Sequence, residues 1–360
     1  MRTGHADLPL HGGRAPRWLF ERMVLLAREI SLAILAEEGP QGLMTRLADP
    51  VWFQAFGCVL GFDWHSSGLT TTACGALKEG LRGVGTGMVV AGGKGKTSRK
   101  TPAEIEAACE GNGMEAGPLV RASRLSAKVD SAAVQDGYQI YHHTFVIGPD
   151  GTWAVIQQGM NEATGMARRY HWLTARRFDS DPHAAVAGST TRPGRIVLNL
   201  VASEGEENRT TASALAREGP DHVAREIELM RSLSLPRHHH VRVDDLHPER
   251  LRKVLLAAYE AQPSDFTDLL AVPGVGAKGL RALSLVAELA YGAPASVRDP
   301  VSYAFAHGGK DGTPFAVDRE TYDATIESLR RAVAEAKTGR TDKVDALRRL
   351  ARLGAGSAGV

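Results

Sequence analysis

The chain has 360 residues, a formal net charge of +2 and an apolar fraction of 43%, enough for two domains with a sizeable hydrophobic core. The small net charge excludes a global field that would attract nucleic acid, so any such affinity must come from local basic clusters and backbone donors. Cys58, Cys74 and Cys109 form no CxxC pair and are expected to be buried thiols in a reducing compartment. Neither a secretory signal nor an apolar run of about 20 residues is found, so we expect a cytoplasmic protein without a membrane partner.

The first hundred residues have the periodicity of helices. Apolar residues recur at helical spacing after Pro16, and the Gly-Pro pair at 39–40 predicts the end of this helix. Asp-Pro at 49–50 and Ser-Ser at 66–67 predict the starts of two more helices. The first predicted strand covers residues 88–91.

A β-hairpin is predicted over residues 138–158. Two segments rich in apolar residues flank a Pro-Asp-Gly turn at 149–151, a turn sequence suited to antiparallel strands. If the turn is centred on Asp150, the strands have a defined register. The predicted pairs of facing residues are His142 with Gln158 and His143 with Gln157.

Polar residues around this hairpin form a candidate catalytic site. Carboxylates bind hard cations such as Mg²⁺ or Mn²⁺, the cation activates water, and basic side chains stabilise the additional phosphoryl charge. The candidate catalytic residues are Asp130, Asp136, His142, His143, Gln157 and Lys128, with Asp130 and Asp136 as the metal ligands. A structural hydrogen-bond network is the alternative explanation of these residues.

A second candidate site lies between two predicted helices, residues 265–272 and 277–291. The connecting glycines allow close approach of a ligand to the backbone, and the positive end of the second helix favours an anion. The predicted contact residues are Pro273, Gly274, Val275, Gly276 and Lys278. An ordinary helical corner with a glycine turn is the alternative.

The stretch from Leu269 to Lys278 resembles the helix-hairpin-helix element of DNA-binding proteins. The resemblance implies contacts between backbone amides and the phosphates of DNA, or alternatively RNA, that position the protein without reading sequence. Val275 is expected to pack between the two helices and to fix the turn. Nucleic acid is therefore the predicted partner.

Two further basic clusters are predicted to contact nucleic acid. One is a glycine-rich loop before the predicted helix start at Thr101, and the other alternates with aromatic residues over 168–172, as strand-binding surfaces do. These clusters contain Lys94, Lys96, Arg99, Lys100, Arg168 and Arg169. A helix end with one buried tryptophan is the alternative for the second cluster.

Lys278 has a second candidate role, because the same stretch resembles that of the bifunctional helix-hairpin-helix DNA glycosylases. In those enzymes a lysine directly after the hairpin is the Schiff-base nucleophile, and an aspartate follows it. Lys278 stands at that position, whereas Asp299 lies further along the chain than the resemblance implies. A phosphate contact is favoured, because position alone does not lower the pKa of a lysine.

Other polar motifs have no assigned role. Asp63 and His65 fit either a catalytic cluster or a cap of the following helix. Three consecutive histidines at 238–240 cannot all face one ion from a strand. His307 lies in a glycine-rich loop that is either a further basic contact or a tight turn.

Long motifs along the chain resemble those of one family, the prokaryotic domain-of-unknown-function family seven-six-three. They are Arg2–Gly13, Phe53–Cys58, Gly61–Gly68, Gln135–Tyr138 and Phe305–Gly312. The resemblance covers nearly the whole chain. It implies a bacterial or archaeal cytoplasmic protein and supplies no activity.

These patterns together predict a helix-rich α+β fold. We expect a small mixed sheet in an amino-terminal domain, residues 1–203, and a helical carboxy-terminal domain, residues 204–353, which carries the hairpin at 265–291. The preferred function is a DNA-processing or repair enzyme that cleaves phosphodiester bonds with a divalent metal. The alternatives are a DNA glycosylase or abasic-site lyase that uses Lys278, and a non-enzymatic DNA-binding adaptor.

Overall fold

The computed structural model describes residues 15–62, 67–188, 197–230, 248–302, 319–337 and 339–355. The helices in these ranges are α1 Arg17–Ala48, α2 Pro50–Leu60, α3 Gly68–Leu81, α4 Thr101–Asn112, α5 Ala116–Lys128, α6 Glu206–Arg217, α7 Pro220–Met230, α8 Pro248–Ala261, α9 Phe266–Ala271, α10 Ala277–Tyr291, α11 Arg319–Glu335 and α12 Arg340–Ala355. The strands are β1 Val89–Lys94, β2 Val134–Gln135, β3 Gln139–Ile147, β4 Trp153–Asn161, β5 Met166–Leu173, β6 Ala185–Ala187 and β7 Leu198–Asn199. This is the helix-rich α+β fold that the sequence predicts.

Local sequence signals explain how the first two helices begin and bend. The Asp49 carboxylate accepts hydrogen bonds from the amides of Val51 (2.8 Å) and Trp52 (3.1 Å), which caps α2 as predicted. The predicted end of the first helix at 39–40 is instead a kink inside α1. Gly39 has φ of +72° and Pro40 follows it, so the chain turns at the glycine and the proline begins a second helical segment.

The main sheet has the strand order β1-β3-β4-β5-β6, and β2 pairs separately with β7. Every described pairing is antiparallel, which corrects the expectation of a mixed sheet. The predicted hairpin is confirmed as β3 and β4, with His142 opposite Gln158 and His143 opposite Gln157. β3, β4 and β5 follow one another closely in sequence, and such short connections require antiparallel pairing.

The sheet is covered by helices on both faces. Phe145 and Val155 belong to a core cluster shared with α4 to α10, while Val146 and Ile156 belong to a second cluster shared with α1 to α3, α11 and α12. Successive strand residues point to opposite faces, so each central strand contributes to both cores. The first cluster contains side chains from both sides of residue 203; the domain boundary itself stays a prediction.

The cysteines follow the sequence expectation. Cys58, Cys74 and Cys109 are free and buried. Burial raises the pKa of the Cys74 thiol to about 12, so this group is an unreactive thiol at neutral pH. Among the described helices, none has the length and apolar character that crossing a bilayer requires.

Candidate functional site

Asp130 lies at the centre of a hydrogen-bond network against one face of the sheet. Its Oδ2 accepts hydrogen bonds from Gln157 Nε2 and Trp172 Nε1, the latter at 3.0 Å, and its Oδ1 lies 2.5 Å from His183 Nε2. Burial raises the pKa of Asp130, in opposition to His183 and Trp172, which lower it. Both carboxylate oxygens therefore have protein partners.

His143 extends this network toward α5. Gln157 Nε2 donates to Asp130, so Gln157 Oε1 is the acceptor for His143 Nδ1 at 3.0 Å. Burial lowers the pKa of His143 to about 4, so at neutral pH its Nε2 accepts from the Ser123 hydroxyl at 2.8 Å. Ser123 and His143 have the atoms of a nucleophile and a base, but both side chains are buried, so a substrate cannot reach them in this arrangement.

Asp136 belongs to a second, ionic cluster. Its Oδ2 accepts from Arg168 Nη1 at 2.7 Å and from the Tyr170 hydroxyl at 2.6 Å, and Arg168 Nη2 donates to Asp299 at 3.0 Å. The side chains of Asp136 and Arg168 are both 0% exposed. Burial opposes the charge of Arg168, but Asp136 and then Asp299 raise the pKa of its guanidinium. Asp136, Arg168 and Asp299 thus form an ionic triad, in which the side chains of Asp136 and Arg168 are fully buried.

The two carboxylates do not fit a divalent cation in this arrangement. A hard cation needs several free oxygen ligands, whereas the oxygens of Asp130 and Asp136 accept hydrogen bonds from an amide, an indole, a guanidinium and a phenol. Within the described ranges no group of three or more His, Cys, Asp or Glu side chains is placed to hold a metal ion. The hydrogen bonds of Asp130 and Asp136 instead form a structural network, which the sequence left open as the alternative to a catalytic site.

The remaining candidate catalytic residues, His142 and Lys128, form no hydrogen bond or ion pair with Asp130 among the described residues. His142 points to the opposite face of the sheet from His143, and its Nε2 lies 2.9 Å from the Thr144 hydroxyl. Lys128 is half-buried at the end of α5, and burial lowers its pKa. The structure thus brings Asp130, His143 and Gln157 together and separates them from His142.

The buried histidines make the stability of the fold depend on pH. Burial, followed by the nearby His143, Lys94 and Arg169, lowers the pKa of His142 to about 3. Below about pH 6.5 the unfolded chain binds a proton that the folded chain does not, so the free energy of unfolding falls by up to about 1.4 kcal/mol per pH unit for this residue. This loss continues until the pH reaches the pKa in the folded state.

We therefore expect the His142→Gln variant to show a smaller decrease in the free energy of unfolding between about pH 6 and pH 4 than the wild type. Equilibrium denaturation at several pH values measures both slopes. Equal slopes would show that His142 does not remain neutral in the folded protein.

Two members of these clusters were not predicted from the sequence. His183 contacts Asp130 from a segment that follows Asp-Pro at 181–182, and no periodic pattern marks it. Tyr170 contacts Asp136 from β5, a strand that the sequence did not predict because two arginines interrupt its apolar pattern. Every residue from 167 to 172 is buried, and a strand buried on both faces lacks the alternation of apolar and polar residues that marks a half-buried strand.

The 265–291 segment has the predicted helices and a tight connection between them. Asp265 caps α9 by accepting from the Asp268 amide at 2.8 Å, and α10 begins at Ala277 as predicted. Gly274 has φ of +85°, a backbone conformation that favours glycine. Val275 is fully buried in the core cluster that contains side chains of both helices, and its packing between α9 and α10 stays a prediction.

Gln135 holds the start of α10 in place. Its Nε2 donates to the Ala277 carbonyl at 2.9 Å, and its Oε1 accepts from Arg281 Nε at 2.6 Å. Gln135 lies in β2, directly before Asp136. The turn at 272–276 is therefore fixed to the same part of the molecule as the buried ionic cluster.

Lys278 lies on the exposed side of the first turn of α10. Asp299, its predicted partner in the lyase hypothesis, accepts hydrogen bonds from Arg168 Nη2 and from the Val301 amide. An aspartate engaged with a buried arginine is a structural element of the ionic cluster. The lyase hypothesis stays a prediction, and borohydride trapping of a covalent adduct is the measurement that separates it from a phosphate contact.

The glycine-rich loop presents its basic residues to solvent. β1 ends at Lys94, and a 3₁₀ turn over Gly95–Lys100 follows. Gly92 anchors the loop, because its amide donates to Glu104 and its carbonyl accepts from Lys78, and a Cβ there would meet the His143 carbonyl. The exposed basic residues are Lys94, Lys96, Arg99 and Lys100.

Arg168 and Arg169 do not lie on the surface. Both are 0% exposed, and Arg169 donates to Gln54 and lies over the ring of Phe53 at 4.9 Å. This corrects the expectation of two nucleic-acid contacts, because the basic–aromatic pattern belongs to a central strand whose arginines point into the two cores.

Several motif residues lie outside the described part of the chain, namely Asp63, His65, Ser66, His238–His240 and His307.

Comparison with known proteins gives a family and no activity. Neither the curated proteins nor the solved structures that were searched include a significant match to this chain. A family model described as "Protein of unknown function (DUF763)" matches residues 4–317. The match includes both clusters, the basic loop and the 265–291 segment, and the chain therefore belongs to the DUF763 family.

Proposed function

We propose that this protein binds the phosphate backbone of duplex nucleic acid through the 265–291 segment, acting as a helix-hairpin-helix element. The observation that carries the proposal is the shape of the turn at 272–276. Val275 is buried beneath it, while Pro273 and Gly274 are exposed on its outer side. The backbone itself is therefore the surface that a ligand meets.

The two glycines keep this surface accessible. A Cβ added at Gly274 or at Gly276 would have no heavy atom within 4 Å among the described residues, so packing of the fold does not explain the absence of a side chain at either position. At Gly274 the positive φ is a sufficient reason for glycine, but Gly276 has φ of −124°, which any residue adopts. As the N-cap of α10, this position already favours glycine over alanine, and close approach of a ligand to the backbone is the further reason that the proposal gives for Gly276.

The charge of the surface agrees with an anionic ligand. The α10 helix begins at the turn and has 15 residues, so the positive end of its dipole and the amides of its first turn face a group bound there. Lys278 adds a positive charge on the exposed side of that turn. Phosphate contacts of this kind provide affinity that does not depend on base sequence.

Metal-dependent cleavage, the activity that the sequence favours, stays a prediction outside this proposal. The carboxylates assigned to the metal are buried and occupied by other donors. DNA binding without catalysis by those residues agrees better with their contacts. Incubation of wild-type protein with labelled single-stranded, duplex and branched substrates, with and without Mg²⁺, is the assay for cleavage.

Replacing Lys278 by alanine tests the proposal at an exposed residue of the first turn of α10. We expect the variant to bind duplex DNA more weakly for all sequences, and the slope of log affinity against log salt to decrease by about 1, since one phosphate contact is lost. Fluorescence anisotropy with a labelled duplex measures both quantities. Lys337→Ala is the matched control, because Lys337 is an exposed lysine directly after α11, a helix of the core cluster on the other face of the sheet. A Lys278→Ala variant that binds like this control would contradict the proposal.

A further inference from the structure

A cavity of about 530 Å³ opens between α5, α6, the loop after β5 and the start of α9. Five arginines line it: Arg121, Arg176, Arg177, Arg209 and Arg217. They come from three separate segments of the chain, α5, the loop after β5 and α6, which no sequence motif connects. The volume lies within the range of small-molecule sites, about 300–1,000 Å³, and exceeds what an inorganic phosphate alone would fill.

The cavity keeps an excess of positive charge. Three carboxylates also line it, Asp179, Glu206 and Asp265, against five guanidinium groups. Arg177 uses two of these carboxylates, since it lies 3.1 Å from Asp179 and 3.8 Å from Glu206. Arg121 is paired with Asp268 at 3.0 Å, whereas Arg176 is exposed and has no ion-pair partner among the described residues. An anion entering the cavity therefore meets guanidinium groups that internal pairs do not neutralise.

Arg209 provides the most specific feature of the wall. The residue is 2% exposed, and its Nη1 donates to the carbonyls of Leu200 and Ala202. Its Nη2 is buried and has no hydrogen-bond partner in the described part of the chain. A buried cationic donor without an acceptor is costly, and an oxyanion seated in the cavity would supply the missing acceptor.

We propose that this cavity binds the phosphate group of a nucleotide, either a free mononucleotide or the phosphorylated end of a nucleic-acid strand. Planar guanidinium groups suit phosphate oxygens because they form paired hydrogen bonds. Phe178 also lines the cavity and is partly exposed, so its ring gives an apolar surface of the kind that contacts a base. The proposal goes beyond backbone binding at the turn, because it assigns a second site, which is lined in part by the first residues of the same segment.

The test measures binding to the full chain by isothermal titration calorimetry. The probes are inorganic phosphate, a nucleoside monophosphate, the same nucleoside without phosphate, and one short oligonucleotide with and without a 5′-phosphate. We expect phosphate-dependent binding in at least one pair, with inorganic phosphate weaker than the preferred probe. Binding confined to the monophosphate identifies a free nucleotide as the ligand, and 5′-phosphate-dependent binding of the oligonucleotide identifies a strand end.

Variants locate the binding. Arg176→Gln removes an exposed arginine without disturbing the core, and Arg209→Lys keeps the charge but loses the guanidinium geometry. We expect each to weaken phosphate-dependent binding by about tenfold or more, while Arg225→Gln on the exposed side of α7 has no effect. If Arg209→Lys fails to fold, the affinity of Arg176→Gln alone tests whether the phosphate binds in this cavity.

Two results would overturn the proposal: no phosphate-dependent binding of either probe class, or Arg176→Gln binding as tightly as Arg225→Gln. A failure of phosphate binding in the cavity can be distinguished from a failure of duplex binding at the turn. A duplex without terminal phosphates binds through the 265–291 segment alone, so its affinity should be the same in wild type and Arg176→Gln.

Discussion

Replacing Asp136 by asparagine is expected to lower the free energy of unfolding by about 3–5 kcal/mol, the largest effect of any single substitution considered. Asp136 and Arg168 form an ion pair in which neither side chain is exposed. Removal of one partner from a buried pair leaves an uncompensated charge in a medium of low polarity. Asp299 contacts the same guanidinium at 3.0 Å but is itself 17% exposed, so it compensates for the loss only in part.

Urea denaturation of the wild type and Asp136→Asn gives the difference directly. The matched control is Asp345→Asn, which removes the carboxylate of an exposed pair with Arg348 and should change the free energy of unfolding by no more than about 1 kcal/mol. Equal effects at the two positions would mean that the ionic cluster does not stabilise the fold. Such a result would reopen a functional role for Asp136.

Replacing Gly274 and Gly276 together by alanine is expected to weaken binding of duplex DNA by about tenfold to a hundredfold, since charge-assisted hydrogen bonds from backbone amides to phosphate are lost. A methyl group on each α-carbon separates the phosphate from the backbone. Alanine at Gly274 also has to adopt φ of +85°, which changes the turn at a cost of about 1–2 kcal/mol. Both effects act on the ligand-binding surface.

The single variant Gly276→Ala separates blocked approach from altered conformation. Its backbone angles suit alanine, and the N-cap preference for glycine over alanine is about 1 kcal/mol or less, so its free energy of unfolding should lie within about 1 kcal/mol of the wild type while its affinity for duplex decreases. Gly111→Ala is the control, because Gly111 also has open space around its α-carbon and lies in α4, in a different part of the sequence. If the folded Gly276→Ala and double variants both bind like wild type, the turn is not the binding surface.

The register of the central hairpin could be predicted because it depends on local information. A Pro-Asp-Gly turn fixes which residues of the two strands face each other, and the observed pairs of His142 with Gln158 and His143 with Gln157 agree with it. The start of α2 at Asp49 and the start of α10 after Gly276 also follow from residues within a few positions. Caps and turns are contacts between near neighbours, so they are visible in the sequence.

The roles of charged residues could not be predicted in the same way, because they depend on partners far along the chain. Arg168 pairs with Asp299, which is 131 residues away, and this contact turns an apparent surface cation into a member of the core. His183 and Arg209 likewise gain their significance from segments that the fold brings together. A sequence pattern shows that a residue is basic but does not show what neutralises it.

The salt dependence of duplex binding tests the central claim most directly. Affinities of the wild-type protein for two labelled duplexes of unrelated sequence should be equal, and log affinity should fall linearly with log salt between about 50 and 200 mM as phosphate contacts release counterions. A Gly276→Ala sample measured alongside should bind more weakly than wild type at every salt concentration. Absence of duplex binding by the folded wild type at the lowest salt, or binding to only one of the two sequences, would contradict the account.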